Sequence, residues 1–155
     1  MAKKNGYILS FIAGIIGLIS LITPIAYHED AFSESYIWMW GLYTLKILAG
    51  STEINFSEDS DYLTWAMIST LLIVLATIIL INTANKARRR KSDYSSIWIV
   101  CGIMLIAAPI VYYFGLSEEI PTWLTDLFWD YYDFHFAFFG PIIAGVLAIL
   151  GGCIN

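Results

Sequence analysis

Residues 62–91 read YLTWAMISTLLIVLATIILINTANKARRRK. Nothing from Tyr62 to Thr83 carries a charge, and five of the six residues from Lys86 to Lys91 are cations. An apolar run of roughly 20 residues matches the hydrocarbon core of a bilayer. Cations gathered at the end of such a run mark its cytoplasmic side. This stretch therefore predicts a transmembrane helix that leaves the membrane into the cytoplasm.

The rest of the 155-residue chain follows the same pattern, with segments of spanning length at about Tyr7–Tyr27, Ser96–Leu116 and Phe136–Ile154. The composition, 59% hydrophobic and 14% charged, leaves too little polar surface for a soluble domain of this size. The first segment follows Lys3 and Lys4 as a signal peptide would. Its apolar run is too long, however, and it reaches Pro24 without a small-residue cleavage site, so it reads as a retained span. Seven of the eight Lys and Arg residues fall on one side: Lys3, Lys4, Lys86, Arg88, Arg89, Arg90 and Lys91. Only Lys46 lies on the other, together with twelve of the thirteen acids; Asp93 is the exception. The expected architecture is a single membrane domain over 1–155, an all-α four-helix bundle in the plasma membrane with both termini cytoplasmic. Outer loops cover 28–61 and 117–135, and a basic cytoplasmic loop covers 84–95. The cluster Lys86, Arg88, Arg89, Arg90 and Lys91 reads as a topology anchor that also attracts anionic lipid. Nucleic-acid binding is not expected, since that side offers no aromatic or folded partner surface.

The four span cores hold no Lys, Arg, Asp, Glu or His. Proton relays, carriers and voltage sensors need ionisable groups at membrane depth, so independent transport is disfavoured. Small residues take their place: Ser10, Ala13, Gly14 and Gly17 in the first span, and Gly140, Ala144, Gly145, Ala148, Gly151 and Gly152 in the fourth. Such spacing lets helix backbones approach, which predicts packing of the first span on the fourth, with lateral self-association as the alternative. Pro109 is expected to kink the third span. Cys101 and Cys153 form neither a CxxC nor a loop pair, which argues against a disulfide framework or redox motif.

The first outer loop is too long to be structureless. Its centre, Tyr36 to Leu48, is aromatic and β-branched. Ala49 to Thr52 read as a turn and Glu53 to Phe56 as a returning strand, which predicts a small extracellular antiparallel β-sheet. Tyr62, Trp65 and Trp98 read as an interfacial aromatic belt. In the second loop Ile120, Trp123, Leu124, Leu127, Phe128 and Tyr131 recur at helical spacing opposite Asp126, Asp130 and Asp133, which predicts an amphipathic helix. Asn55-Phe56-Ser57 fits the N-glycosylation acceptor pattern. His28, Glu29 and Asp30 end the first span, while Asp133 and His135 precede the fourth. If the two converged they would offer nitrogen and oxygen donors to a divalent metal or form a pH-sensing pair; hydrogen-bonded boundary histidines are the simpler expectation.

Trp38-Met39-Trp40-Gly41-Leu42-Tyr43, followed by a second, shorter loop in a four-span chain with cytoplasmic ends, resembles the claudin-like superfamily. That group includes claudins, peripheral myelin protein relatives and channel gamma subunits. Its outer-loop element is a Trp followed closely by Gly-Leu-Trp, accompanied by two cysteines. Tyr43 replaces the final Trp here, the loop cysteines are missing, and the loop is shorter than in claudins. Pro24 and Ala148-Ile149-Leu150-Gly151-Gly152 also look similar. The resemblance implies a left-handed four-helix bundle beneath an extracellular sheet, with Trp40, Gly41, Leu42 and Tyr43 anchoring that sheet. It also implies roles in adhesion, barrier formation or partnering a channel.

No phosphate-binding glycine loop, metalloprotease helix or nucleophile elbow is present, so no enzyme activity and no cofactor are expected. Three readings follow. The first is a non-enzymatic assembly or adhesion protein that contacts itself or other membrane proteins through Trp38, Trp40, Gly41, Leu42, Tyr43, Trp123 and Phe128. The second is an accessory subunit of a channel, transporter or oxidase. The third is a metal-dependent enzyme or sensor at the outer face.

Overall fold

Thr23-Pro24 stops the first helix earlier than expected. The computed structural model describes residues 5–47, 52–56, 60–90, 93–119 and 132–154. In it α1 runs Gly6–Ile22, α2 Ser60–Arg90, α3 Ser95–Glu119 and α4 Phe136–Ile154. Thr23 takes the extended backbone preferred before proline (φ −95°, ψ 151°). Its N–H and hydroxyl both donate to the Ile19 carbonyl, at 3.1 and 3.0 Å. Tyr27, expected in the span, lies instead in a strand. By length and composition α2, α3 and α4 can each cross a membrane, and α1 is a shorter apolar helix. At 1.5 Å per residue its 17 residues cover about 25 Å.

The expected loop at 84–95 is mostly helix, because α2 continues to Arg90. Ala84, Lys86, Ala87 and Arg88 are strong helix formers, and cations in a last turn complement the negative end of the helix dipole. Residues 91–94 join α2 to α3, whose entrance is fixed by the Asp93 carboxylate accepting from the Ser95 N–H and hydroxyl. The third helix runs on through Pro109, which is buried.

The helices pack in a ring, α1 on α2, α2 on α3, α3 on α4 and α4 on α1, with each neighbour antiparallel. Small residues set the spacing. All of α1's Ser10, Ala13, Gly14 and Gly17 are buried, as are α4's Gly140, Ala144, Gly145, Ala148, Gly151 and Gly152. The small face of α4 meets two partners rather than one. A Cβ on Gly151 would lie 2.7 Å from the Gly6 carbonyl oxygen of α1, and a Cβ on Gly145 would lie 2.6 Å from the Gly102 carbonyl oxygen of α3. Neither backbone has anywhere to move.

Trp98 departs from the belt expectation. It is fully buried, and its indole Nε1–H donates to Thr83 Oγ1 at 2.9 Å. Trp65 is half-buried against Gly115, and the Tyr62 side chain lies outside the description.

The sheet is larger than expected. Its strands are β1 Ala26–Glu29, β2 Ser33–Ile37, β3 Leu42–Ile47, β4 Thr52–Phe56 and β5 Asp133–Phe134. The order is β4-β3-β2-β1-β5, antiparallel throughout. The single aromatic element expected from Tyr36 to Leu48 is two strands joined by a tight turn. The Gly41 N–H donates to the Trp38 carbonyl at 3.0 Å, and Gly41 takes φ +92°, a backbone that favours glycine. No cysteine takes part in the sheet, since Cys101 and Cys153 are both helical. Ile25, Ala26 and Met39 join Ala66, Ala137 and the helix interior in one apolar core. The expected amphipathic helix, including Trp123, Phe128 and Tyr131, lies outside the described residues.

Candidate interaction surface at the sheet end

An α-helix leaves its last carbonyls without partners inside the helix. At the end of α1 two tryptophans fill that gap. Trp38 Nε1–H donates to the Ile22 carbonyl at 3.1 Å, and Trp40 Nε1–H to the Leu21 carbonyl at 3.0 Å. Between them Met39 is buried. The Trp-Met-Trp-Gly stretch is therefore both the turn of the β2–β3 hairpin and a clasp on the end of the first helix. Gly41 is held close to Leu63 of α2, where a Cβ would come within 2.6 Å of Leu63 Cδ2. Trp38, Trp40 and Gly41, expected as contact residues, thus carry internal bonds. Leu42 opens β3 opposite Phe56, and Tyr43 pairs with Asn55.

Three further backbone bonds fasten the sheet to α1 and α4. The Ile25 N–H donates to the Ile37 carbonyl (2.7 Å), the His135 N–H to the Ile25 carbonyl (2.8 Å) and the Ala137 N–H to the Pro24 carbonyl (3.1 Å). The sheet is mounted on the helix ends from both sides of the chain.

Strand alternation separates the two histidines. Tyr27 and His28 are neighbours in β1 and point to opposite faces. His28 packs edge-on to Tyr132 with ring centroids 5.9 Å apart, and its Nε2 lies 3.7 Å from Asp30 Oδ2. His135 packs edge-on to Tyr27 at 5.6 Å. The segments that carry His28, Glu29, Asp30, Asp133 and His135 do meet, as β1 and β5, but the two imidazoles rest against different rings. Glu29 pairs in register with Glu34, and Asp133 with Tyr27. Among the described residues no three His, Cys, Asp or Glu side chains gather into a metal-binding group.

Asp30 has another task. Its Oδ1 accepts from the Phe32 and Ser33 N–H groups, each at 2.7 Å, which closes the β1–β2 turn. Those two bonds hold its carboxyl below the usual carboxylate range. Lys46, the lone cation at this end, pairs across the strands with Glu34 at 3.1 Å. This relieves the like-charge pairing of Glu34 with Glu29.

What remains outward is an aromatic row and an edge. Tyr27 stacks on Tyr36 (6.4 Å), and Tyr36 leans on Trp38 (6.3 Å). Every residue of the edge strand β4 is exposed, including Ile54 (65%) and Phe56 (61%). Asn55 lies on this edge, its amide donating to the Tyr43 hydroxyl at 3.3 Å; Ser57 of the acceptor triplet lies outside the described residues. Ile54 and Phe56 are contact candidates that the tryptophan pattern does not pick out; their signal is the alternation of Thr52 to Phe56.

At the opposite end Lys86, Arg88 and Arg89 are exposed on the last turns of α2. The Arg90 side chain and Lys91 lie outside the description. Neither the comparison with protein-family models nor that with curated proteins gives a match to this chain.

Proposed function

We propose that the protein is a claudin-like, multi-pass protein of the plasma membrane with four spans and cytoplasmic termini. It acts without catalysis, in lateral assembly, adhesion or barrier formation through its outer surface. The observation that supports this best is the sheet clasped to the helix ends by Trp38 and Trp40, which holds an exposed apolar edge at a fixed height above the apolar helices. A rigidly mounted platform suits binding between proteins, because little ordering is needed on contact. The absence of charge from the span cores favours the same reading over transport.

Association is tested in native-like membranes at increasing protein density, by cross-linking and by subunit counting. Oligomers that weaken in Ile54→Ser and Phe56→Ser support the proposal. A protein that stays monomeric at high density sinks it. The charge-free cores equally suit an accessory subunit whose partner carries the chemistry. A stoichiometric foreign subunit in pull-downs from native membranes would favour that second reading.

A further inference from the structure

We infer that a groove between α1 and α2, at the end of the molecule opposite the sheet, binds one anionic phospholipid. The groove is lined by Tyr7, Ile8 and Phe11 of α1 and by Ala84, Asn85 and Arg88 of α2, with a volume of about 350 Å³. Its cause is local packing. Gly14 seats Ile81 and Gly17 seats Thr77, so the helices touch closely along their middles. Beyond that contact α2 presents the small, buried Ala84, which leaves the space before Tyr7 and Phe11 unfilled.

The chemistry of the lining changes along the groove. Arg88 supplies a permanent cation that can bond phosphate through two N–H groups. Among the described residues it forms no ion pair. Asn85 and Tyr7 add hydrogen-bonding groups beside it. Ile8 and Phe11 are exposed (42% and 37%), and Ile15 continues the stripe one turn further along α1 (41%). A phosphate at Arg88 with acyl chains along Ile8, Phe11 and Ile15 satisfies both halves. A free anion would leave the apolar half exposed. The volume fits a headgroup and glycerol, while the chains lie along the helix surface among other lipids. Lys86 and Arg89 add positive potential around the site. The inference rests on the membrane reading of these helices and not on adhesion.

The test uses the full chain, purified in mild detergent and titrated with phosphatidylglycerol or phosphatidylcholine, with bound lipids counted by native mass spectrometry. One phosphatidylglycerol is expected to be retained in preference to phosphatidylcholine. Arg88→Gln should lower that retention about fivefold, the worth of one interfacial cation. Arg89→Gln removes the same charge from outside the groove and should lower retention by clearly less than Arg88→Gln, through the surrounding potential alone. Equal losses in the two variants would mean a diffuse basic field and overturn the site. So would the absence of any preference in the wild type. Carbonate extraction of the membranes from which the chain is purified reports separately on whether it is integral.

Discussion

Thr83 holds together two helices through one hydroxyl. It accepts the buried Trp98 N–H at 2.9 Å and donates to the Ile79 carbonyl at 2.7 Å. Thr83→Val keeps the volume but strands the indole N–H, at a cost of about 1–3 kcal/mol. Thermal unfolding in detergent should show a lower midpoint for Thr83→Val and near-recovery for Thr83→Ser. Gly41 is the second sensitive position. With φ at +92° and Leu63 pressed against it, Gly41→Ala should cost about 1–3 kcal/mol. Asp30 predicts a local pH dependence. Its carboxylate is favoured in the folded turn, so the turn's contribution is present above the ordinary carboxylate range. It is lost as pH falls through the lowered value. Protection of the Phe32 and Ser33 amides from hydrogen exchange, taken relative to the unstructured chain at each pH, should fall on that descent, and Asp30→Ala should lower it already at neutral pH. Protection that ignores both changes would remove Asp30 from the turn.

For the elements, the joint between the sheet and α1 is the informative one. Replacing Trp38 and Trp40 with phenylalanine leaves a smaller aromatic ring at each position and removes both N–H donors. Each lost bond is worth about 0.5–1.5 kcal/mol, and the larger effect should be faster exchange across Leu42–Ile47. If exchange there is unchanged, the indoles are bystanders. The same joint shows what the sequence could reveal. The apolar runs in α2, α3 and α4 announce themselves by length, each long enough to cross a membrane. β1 was hidden, since Ala26 and Tyr27 continue the apolar character of α1 and only Pro24 marks the break. β2 was hidden by its polar Ser33-Glu34-Ser35, and β5 is two residues long. The burial of Trp98 was equally out of reach: a tryptophan near the end of a span suits a lipid interface, and only the position of Thr83 across the ring draws it inward. Trp38, Trp40 and Gly41 stand out in the sequence as one aromatic-glycine element, but the helix carbonyls that the two indoles bond come from a distant segment and have no sequence signal.

Taken as a whole molecule, the ring of helices depends on backbone contact at Gly102 and Gly145. A side chain at either position must push two backbones apart, where ordinary overpacking already costs about 1–3 kcal/mol. Gly145→Leu should therefore abolish the folded peak in size-exclusion chromatography, while Val146→Leu, one residue on and half-exposed, should leave it intact. An equal response from both would place the constraint elsewhere than in helix approach.

The strand order β4-β3-β2-β1-β5 has a consequence for biosynthesis. Four strands and the tryptophan clasp come from the first 56 residues, so they can assemble while the chain is still emerging. The fifth arrives only with the last helix, more than a hundred residues after the β1 strand it pairs with. Until then one margin of β1 has open N–H and C=O groups, an invitation to pair with a neighbouring nascent chain. The segment leading into α4 brings Phe134 and His135 to that margin and seals it. Completion of the sheet thus waits on the start of α4, so a chain cut short before that helix keeps the β1 margin open.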